Sequence, residues 1–300
     1  MKIAVHNWLR PEPLDVSIER LARLGYDGLE ITSKPATTDI PHVKKLLADN
    51  GVESPGALAF MAGGLDLFSD EPFVRAGSLD YLKRTIDLVA ELGGYFVTVP
   101  CTVGKVVPTA SEEDEWRWYV EGLRTAQEHA TAAGVRLAVE PLNRFETYLI
   151  NRADQALRLA EEVGPDCGVV LDIFHMNIEE RSWRQAIELC RDRLVHFHVA
   201  DNTRGACGDG EFDWNAIVGA LRAIGYDGYL SVEFMPPIDR TPLAASPIDD
   251  PEGQGLEASM VRWLRDHSSG VFRETEYTAW LTRSLRTLRT AIATTAGDRR

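Results

Sequence analysis

Apolar and polar positions alternate in short runs along this chain, and between those runs the apolar positions recur at steps of three and four. Residues 2–7 (KIAVHN), 28–32 (GLEIT), 52–60, 95–99, 135–140, 168–172, 194–199 and 229–234 are the short runs. β-branched and aliphatic residues bounded by glycine or proline predict buried strands. The segments between them predict helices. Residues 15–25 place Ile18, Leu21 and Ala22 on one face with Gly25 at the end, as a helix terminus wants. Helices follow over 39–50, over a long segment with Leu79, Leu82, Ile86 and Val89 on one stripe, and over 111–133, 152–163, 182–191 and 214–225. A final helix carries Leu281, Leu285, Leu288 and Ile292. Ser111 with Asp114 and Ser182 with Gln185 read as capping boxes. The acidic run 112–115 then complements the positive end of a helix. Eight strands alternating with eight helices predict an α/β fold, a single (β/α)8 TIM barrel spanning residues 1–300.

Two features stand outside this alternation. Gly25-Tyr26-Asp27-Gly28 and Gly225-Tyr226-Asp227-Gly228 are the same turn, each between a helix and a strand. Two loops are long. Residues 60–73 contain Gly63-Gly64 and are expected to fold over a site. Residues 235–274, rich in proline and acid, form an insertion after strand eight with a candidate helix at 256–267. Insertions of that length serve as lids, as subunit contacts or as disordered segments.

The strand ends carry the candidate chemistry. Strand five ends on Glu140, strand six on Asp172, strand seven near His198 and strand eight on Glu233. One acid at a strand end is more often a cap or half of an ion pair. Four donors at successive strand ends all emerge on the same face of a parallel barrel, where active sites sit. A carboxylate buried there needs a partner or a cation. Three carboxylates and an imidazole suit Mn²⁺ above all, with Co²⁺ or Mg²⁺ as alternatives. The set contains no cysteine, which argues against a structural zinc site. His196 shares the face of His198 and reads as a core histidine, outside the ligand set.

Charge and composition narrow the partners. The chain has 32 Lys+Arg against 46 Asp+Glu, a formal charge of −14. A sequence-independent grip on nucleic acid needs clustered positive charge, so no nucleic-acid partner is expected. No apolar run approaches the roughly 20 residues of a membrane helix, and the N-terminus does not read as a signal peptide. The four cysteines form no CxxC pair and read as reduced thiols of a cytoplasmic protein.

The segments AVEPLNRFE, VVLDIFHMNIEE, HFHVADNTRGACGDGEFDW and SVEF resemble the xylose isomerase-like barrel superfamily, and within it most resemble the D-tagatose/D-psicose 3-epimerases. The resemblance implies a metal held by Glu140, Asp172, His198 and Glu233, and substrate contacts from Glu146, His175 and Arg204. It implies a sugar isomerase or epimerase. Glu140 and Glu233 act on opposite faces of the substrate, one removing the proton beside the carbonyl and the other returning one. Taken without the resemblance, His175 caps a helix and Arg204 pairs with Asp201.

Three stretches depart from the epimerase pattern. After strand one, HNWLRPEP offers His6, Trp8 and Arg10 to the pocket, with Trp8 either stacking on substrate or filling the barrel mouth. The second departure is the insertion at 235–274. The third is the C-terminal ETEYTAWLTRSLRTLR, which is similar to the larger subunit of bacterial C-glycoside deglycosidases. That similarity implies an alternative, a lyase that eliminates the aglycone of a 3-keto-C-glycoside or dehydrates a keto-cyclitol. The expected assembly is a homo-oligomer, or a hetero-oligomer with a small subunit under the lyase reading.

Overall fold

The computed structural model of the chain describes residues 1–10, 12–235 and 274–297. The expected insertion at 235–274 and its candidate helix at 256–267 lie outside the described residues, apart from the two end positions.

Eight parallel strands close into a barrel in the order β1 to β8. They are β1 (Lys2–His6), β2 (Gly28–Thr32), β3 (Gly56–Leu58), β4 (Phe96–Pro100), β5 (Arg136–Glu140), β6 (Gly168–Asp172), β7 (Leu194–Val199) and β8 (Tyr229–Val232). Around them lie α1 (Leu14–Leu24), α2 (Ile40–Asn50), α3 (Pro72–Leu92), α4 (Glu112–Ala132), α5 (Ala153–Val163), α6 (Ile173–Glu179), α7 (Trp183–Leu189), α8 (Trp214–Ala223) and α9 (Glu274–Gly297). The outward-facing strand residues Ile3, Leu29, Ile31, Val97, Leu137, Val169 and Phe197 pack against helix residues such as Ile18, Leu82, Leu123, Leu159 and Leu288. Burial of each such side chain stabilises by roughly 1.5–3 kcal/mol.

The expected elements are present, with two differences. Strand three is shorter than 52–60. Val52 N–H bonds back to Leu47 O to close α2, and Pro55 has no N–H to offer a ladder. Between β6 and β7 there are two helices, because Asp172 caps α6 by accepting the Phe174 N–H at 2.8 Å before Ser182 caps α7. The repeated Gly-Tyr-Asp-Gly turn matches expectation: Gly25 and Gly225 both take the left-handed conformation, at φ 87° and 82°, which glycine adopts without a Cβ penalty.

Inside the barrel, alternate residues point inward and stack in layers. The lowest layer is apolar, with Phe96, Ala138, Val170 and Val195 in one cluster. Gly56 belongs to this layer. A Cβ there would lie 2.6 Å from the Phe96 ring, so the glycine makes room for the aromatic plug. Above the plug the lining becomes polar, through Glu30, Thr98, His196 and Ser231, all fully buried.

Candidate active site

At the C-terminal mouth the structure brings together the four strand-end donors. Single ligand atoms from Glu140, Asp172, His198 and Glu233 lie within 4.8 Å of one another. The register explains why. Asp172 pairs with His198 across β6 and β7. Glu233 follows the last residue of β8, and its N–H bonds Val199 O at 2.9 Å. His198 Nδ1 is 2.8 Å from Glu140 Oε1 and 3.4 Å from Glu233 Oε2. All four side chains are buried. A narrow cleft opens above them, lined by Trp8, Leu58, Phe60, Pro100, Val103, Leu142, Glu146, His175, Arg204 and Met235 together with the two glutamates.

The remaining candidates surround this centre. Trp8 sits on a short 3₁₀ turn after β1, pinned where Asn7 Oδ1 accepts the Thr32 N–H at 2.6 Å. Its indole donates to Glu233 Oε1 at 2.9 Å, so it braces an acid as well as walling the cleft. His175 stands in the first turn of α6, buried; the cap of that helix is Asp172. Arg204 donates to Asp172 Oδ2 at 2.6 Å and to Glu233 Oε2 at 3.0 Å. The alternative pairing with the Asp201 side chain is not formed. Asp201 instead accepts from Gly208 N–H, Phe212 N–H and the Trp214 indole, folding the loop that presents Arg204. Arg204 is the only non-glycine with positive φ among the described residues, at 60°. Such strain costs on the order of 1–3 kcal/mol and concentrates at functional sites. Arg10 turns away from the cleft to pair with Glu12 at 3.0 Å, and His6 lies below the donors, not in the cleft wall.

The sequence profile of the xylose isomerase-like TIM barrel family matches residues 18–267. The chain belongs to that family. It is 31% identical over 242 residues to a 3-dehydro-D-guloside 4-epimerase of Escherichia coli K12, covering 78% of this chain and 92% of the relative. It is 32% identical over 240 residues to an L-ribulose 3-epimerase of Mesorhizobium japonicum, covering 77% and 80%. Among solved structures, D-psicose 3-epimerase with D-tagatose from Clostridium cellulolyticum H10 superposes with a TM-score of 0.81 at 25% identity, over 97% of this chain and 99% of that one.

In this xylose isomerase-like barrel the two glutamates are electrostatically unlike. Burial pushes the Glu140 carboxyl up, and the neighbouring Glu233 charge adds to it against the pull of His198. Burial also works against Glu233, but Arg204 first, then His6 and His198, hold it well below the usual carboxylate range.

Two residues escaped the sequence reading. Asn143 is the first. Its amide donates to Glu146 Oε1 at 2.8 Å and lies 2.8 Å from His175 Nδ1, while its backbone N–H also points at that nitrogen, 3.3 Å away. Two donors on Nδ1 leave the His175 proton on Nε2. Asn143 therefore links the two expected substrate contacts. Its only sequence signal is its place between Glu140 and Glu146. The second is Glu30, buried against His6, which the sequence offered to the pocket, and His196, which it read as a core histidine. An acid in the middle of an apolar run was the available signal, and the strand pattern of GLEIT hid it.

The loop over 60–73 is also more fixed than a flap. Phe68 is fully buried, Asp66 N–H bonds Ser78 Oγ at 2.7 Å, and Lys105 joins Asp66 at 2.8 Å and Glu115 at 3.1 Å. Glu115 is thus more than a charge at the start of α4. It accepts from Thr109 and Ala110 and ties two rim loops together. Phe60 at the start of the loop forms a cleft wall.

Proposed function

We propose that this chain is a divalent-metal-dependent sugar epimerase that inverts a carbon next to a carbonyl. The carrying observation is the convergence of Glu140, Asp172, His198 and Glu233 within 4.8 Å at the barrel mouth. The relatives' names support the chemistry. A 3-epimerase acting on ribulose inverts the carbon beside a C2 ketone, and a 4-epimerase acting on a 3-dehydro sugar inverts the carbon beside a C3 ketone. Both need removal and return of a proton α to a carbonyl.

The donor set fits a hard cation: three acids and one imidazole, with far more negative than positive charge converging on one point. Glu140, Asp172, His198 and Glu233 would hold it, with Mn²⁺ the best match to those donors. When bound, the cation supplies Lewis acidity that lowers the barrier to losing the α-proton. Glu140 and Glu233 act from opposite faces of the sugar, one taking that proton and the other returning one. The Nε2–H of His175 and the Arg204 guanidinium direct donors at developing oxygen charge. Glu146 fixes a hydroxyl, and Trp8 and Phe60 exclude water from the apolar side of the ring.

Two finer points complete the reading. The chain assembles as a homo-oligomer, and Phe73, Val107 and Phe145, exposed by 87%, 65% and 74%, lie on three successive rim segments where a partner would cover them. It works in the cytoplasm, which suits four free buried thiols; no described helix is long and apolar enough to cross a membrane.

The test is an NMR time course in D₂O with free ketoses and 3-keto glycosides, with Mn²⁺ added. A new epimer carrying deuterium at the inverted carbon is the expected result. Release of an aglycone or of water without an epimer would overturn epimerisation in favour of elimination.

A further inference from the structure

His198 has two chemically different faces. Its Nδ1 looks up at Glu140 and Glu233. Its Nε2 looks down into the barrel, 3.0 Å from His6 Nε2 and 3.4 Å from Glu30 Oε2. Glu30 is fully buried in β2 and, among the described residues, shows no arginine or lysine partner. Its neighbours are Thr98 Oγ1 at 2.9 Å, His196 Nε2 at 2.8 Å and His6 Nε2 at 3.2 Å. His196 is itself set in place, its ring stacked on Phe96 at 4.4 Å and its Nε2 shared with Ser231 Oγ at 2.8 Å.

A neutral imidazole has one N–H and one lone pair. Carboxylates stand on both sides of the ring, Glu140 above at 2.8 Å and Glu30 below at 3.4 Å. A cation among the upper donors requires the Nδ1 lone pair, which leaves the proton on Nε2. That Nε2–H has His6 Nε2 as its hydrogen-bond acceptor at 3.0 Å, with the Glu30 charge beside the pair.

We propose that Glu30 and His6 are positioning residues for the metal centre: from beneath, they hold His198 with its proton on Nε2 and its Nδ1 presented to a divalent cation. This rests on the metal-dependent reading above. Histidine ligands whose distal N–H is held by a carboxylate lose about 10–100-fold in metal affinity when that partner is removed. Neither residue touches the substrate cleft, so the effect falls on the cation before it falls on the sugar.

Calorimetric titration of the metal-stripped full chain with Mn²⁺ tests this. Wild type is expected to bind one ion, Glu30→Gln to bind one ion about 10–100-fold more weakly, and His6→Phe to weaken binding less, because the Glu30 charge remains beside His198. An unchanged Kd in Glu30→Gln overturns the inference and leaves the metal site standing. Two ions in wild type and one in Glu30→Gln also overturn it, since Glu30 would then be a ligand itself. No binding by wild type removes the metal-dependent reading and this inference together. Should the variants fail to fold, ¹⁵N-histidine spectra of the Cd²⁺-loaded wild type decide: coupling of ¹¹³Cd to Nδ1 of His198 with a proton on Nε2 is expected, and coupling to Nε2 overturns the proposal.

Discussion

The two halves of the barrel mouth are built from different materials. β5 and β6 end in Glu140 and Asp172, β7 carries His198 just before its end, Glu233 follows β8 by one residue, and the segments after β5, β6 and β7 add Glu146, His175 and Arg204. β3 and β4 end in Leu58 and Pro100, and the loops that follow bring Phe60 and Val103. One half concentrates charge and proton-carrying groups. The other supplies an apolar wall held rigid by the Lys105 ion pairs to Asp66 and Glu115. The contrast teaches how a symmetric fold makes an asymmetric site. Every strand offers the same geometry at its end, and only the residue type there decides whether it performs chemistry or shapes the space.

The comparison can be broken most sharply at the two glutamates. With Mn²⁺ saturating, Glu140→Gln and Glu233→Gln are each expected to lower kcat by about 10²–10⁴-fold, the span of a positioned acid or base. Steady-state rates close to wild type in both variants would show that the charged half does not carry the chemistry.

Arg204 comes next. Arg204→Met strands Asp172 and Glu233, and breaking a buried ion pair from one side costs about 3–5 kcal/mol. Denaturant melts of the metal-stripped variant should show that loss, and added Mn²⁺ should recover part of it. The pH dependence has a definite sign. Glu233 is held below its unfolded value, so its contribution is present above the ordinary carboxylate pKa of about 4.3 and disappears as pH falls through the depressed folded value. Without Arg204 that depression shrinks, and the acid-unfolding midpoint of the metal-stripped protein should move to higher pH.

A smaller effect is expected where the charged half is only being aligned. Asn143→Ala removes a donor to the Glu146 carboxylate and one to His175 Nδ1. Hydrogen bonds to charged groups are worth about 1.5–3 kcal/mol, so kcat/KM should fall by roughly 10–100-fold. The ¹⁵N spectrum of His175 should show a weakened preference for the Nε2–H tautomer, because only the backbone N–H of residue 143 still donates to Nδ1; a merely structural asparagine would not affect it.

The smallest effect belongs to the apolar wall. Phe60→Ala should raise KM by up to about tenfold, the low end of what contacts in an apolar pocket contribute, with kcat nearly unchanged. A kcat loss as large as that of the glutamates would erase the distinction between the two halves.

Most of the barrel was legible in the alternation and spacing of apolar residues, because a parallel strand buried on both faces has to be aliphatic and the helices around it have to carry a stripe. The errors sit where a local rule met a local exception. Pro55 shortens β3 on a run that looks long, and Asp172 caps a helix while belonging to a donor cluster, which adds α6. Arg204 was placed at the site by its motif, with a pairing to nearby Asp201 as the bland alternative. The left-handed turn at Arg204 sends the guanidinium back over the barrel to Asp172 and Glu233 instead.

By itself the sequence determined the closed barrel, the strand ends that bear Glu140, Asp172, His198 and Glu233, and the face on which they emerge. These follow from periodicity and from the direction shared by parallel strands. Only the tertiary structure decided which acid is held ionised, which nitrogen of His175 carries the proton, and that Glu30 lies beneath His198. Those properties depend on burial and on neighbours far apart in the chain. Glu30 and His196 are separated by 166 positions and meet at 2.8 Å, a contact set by barrel closure and visible in no local pattern.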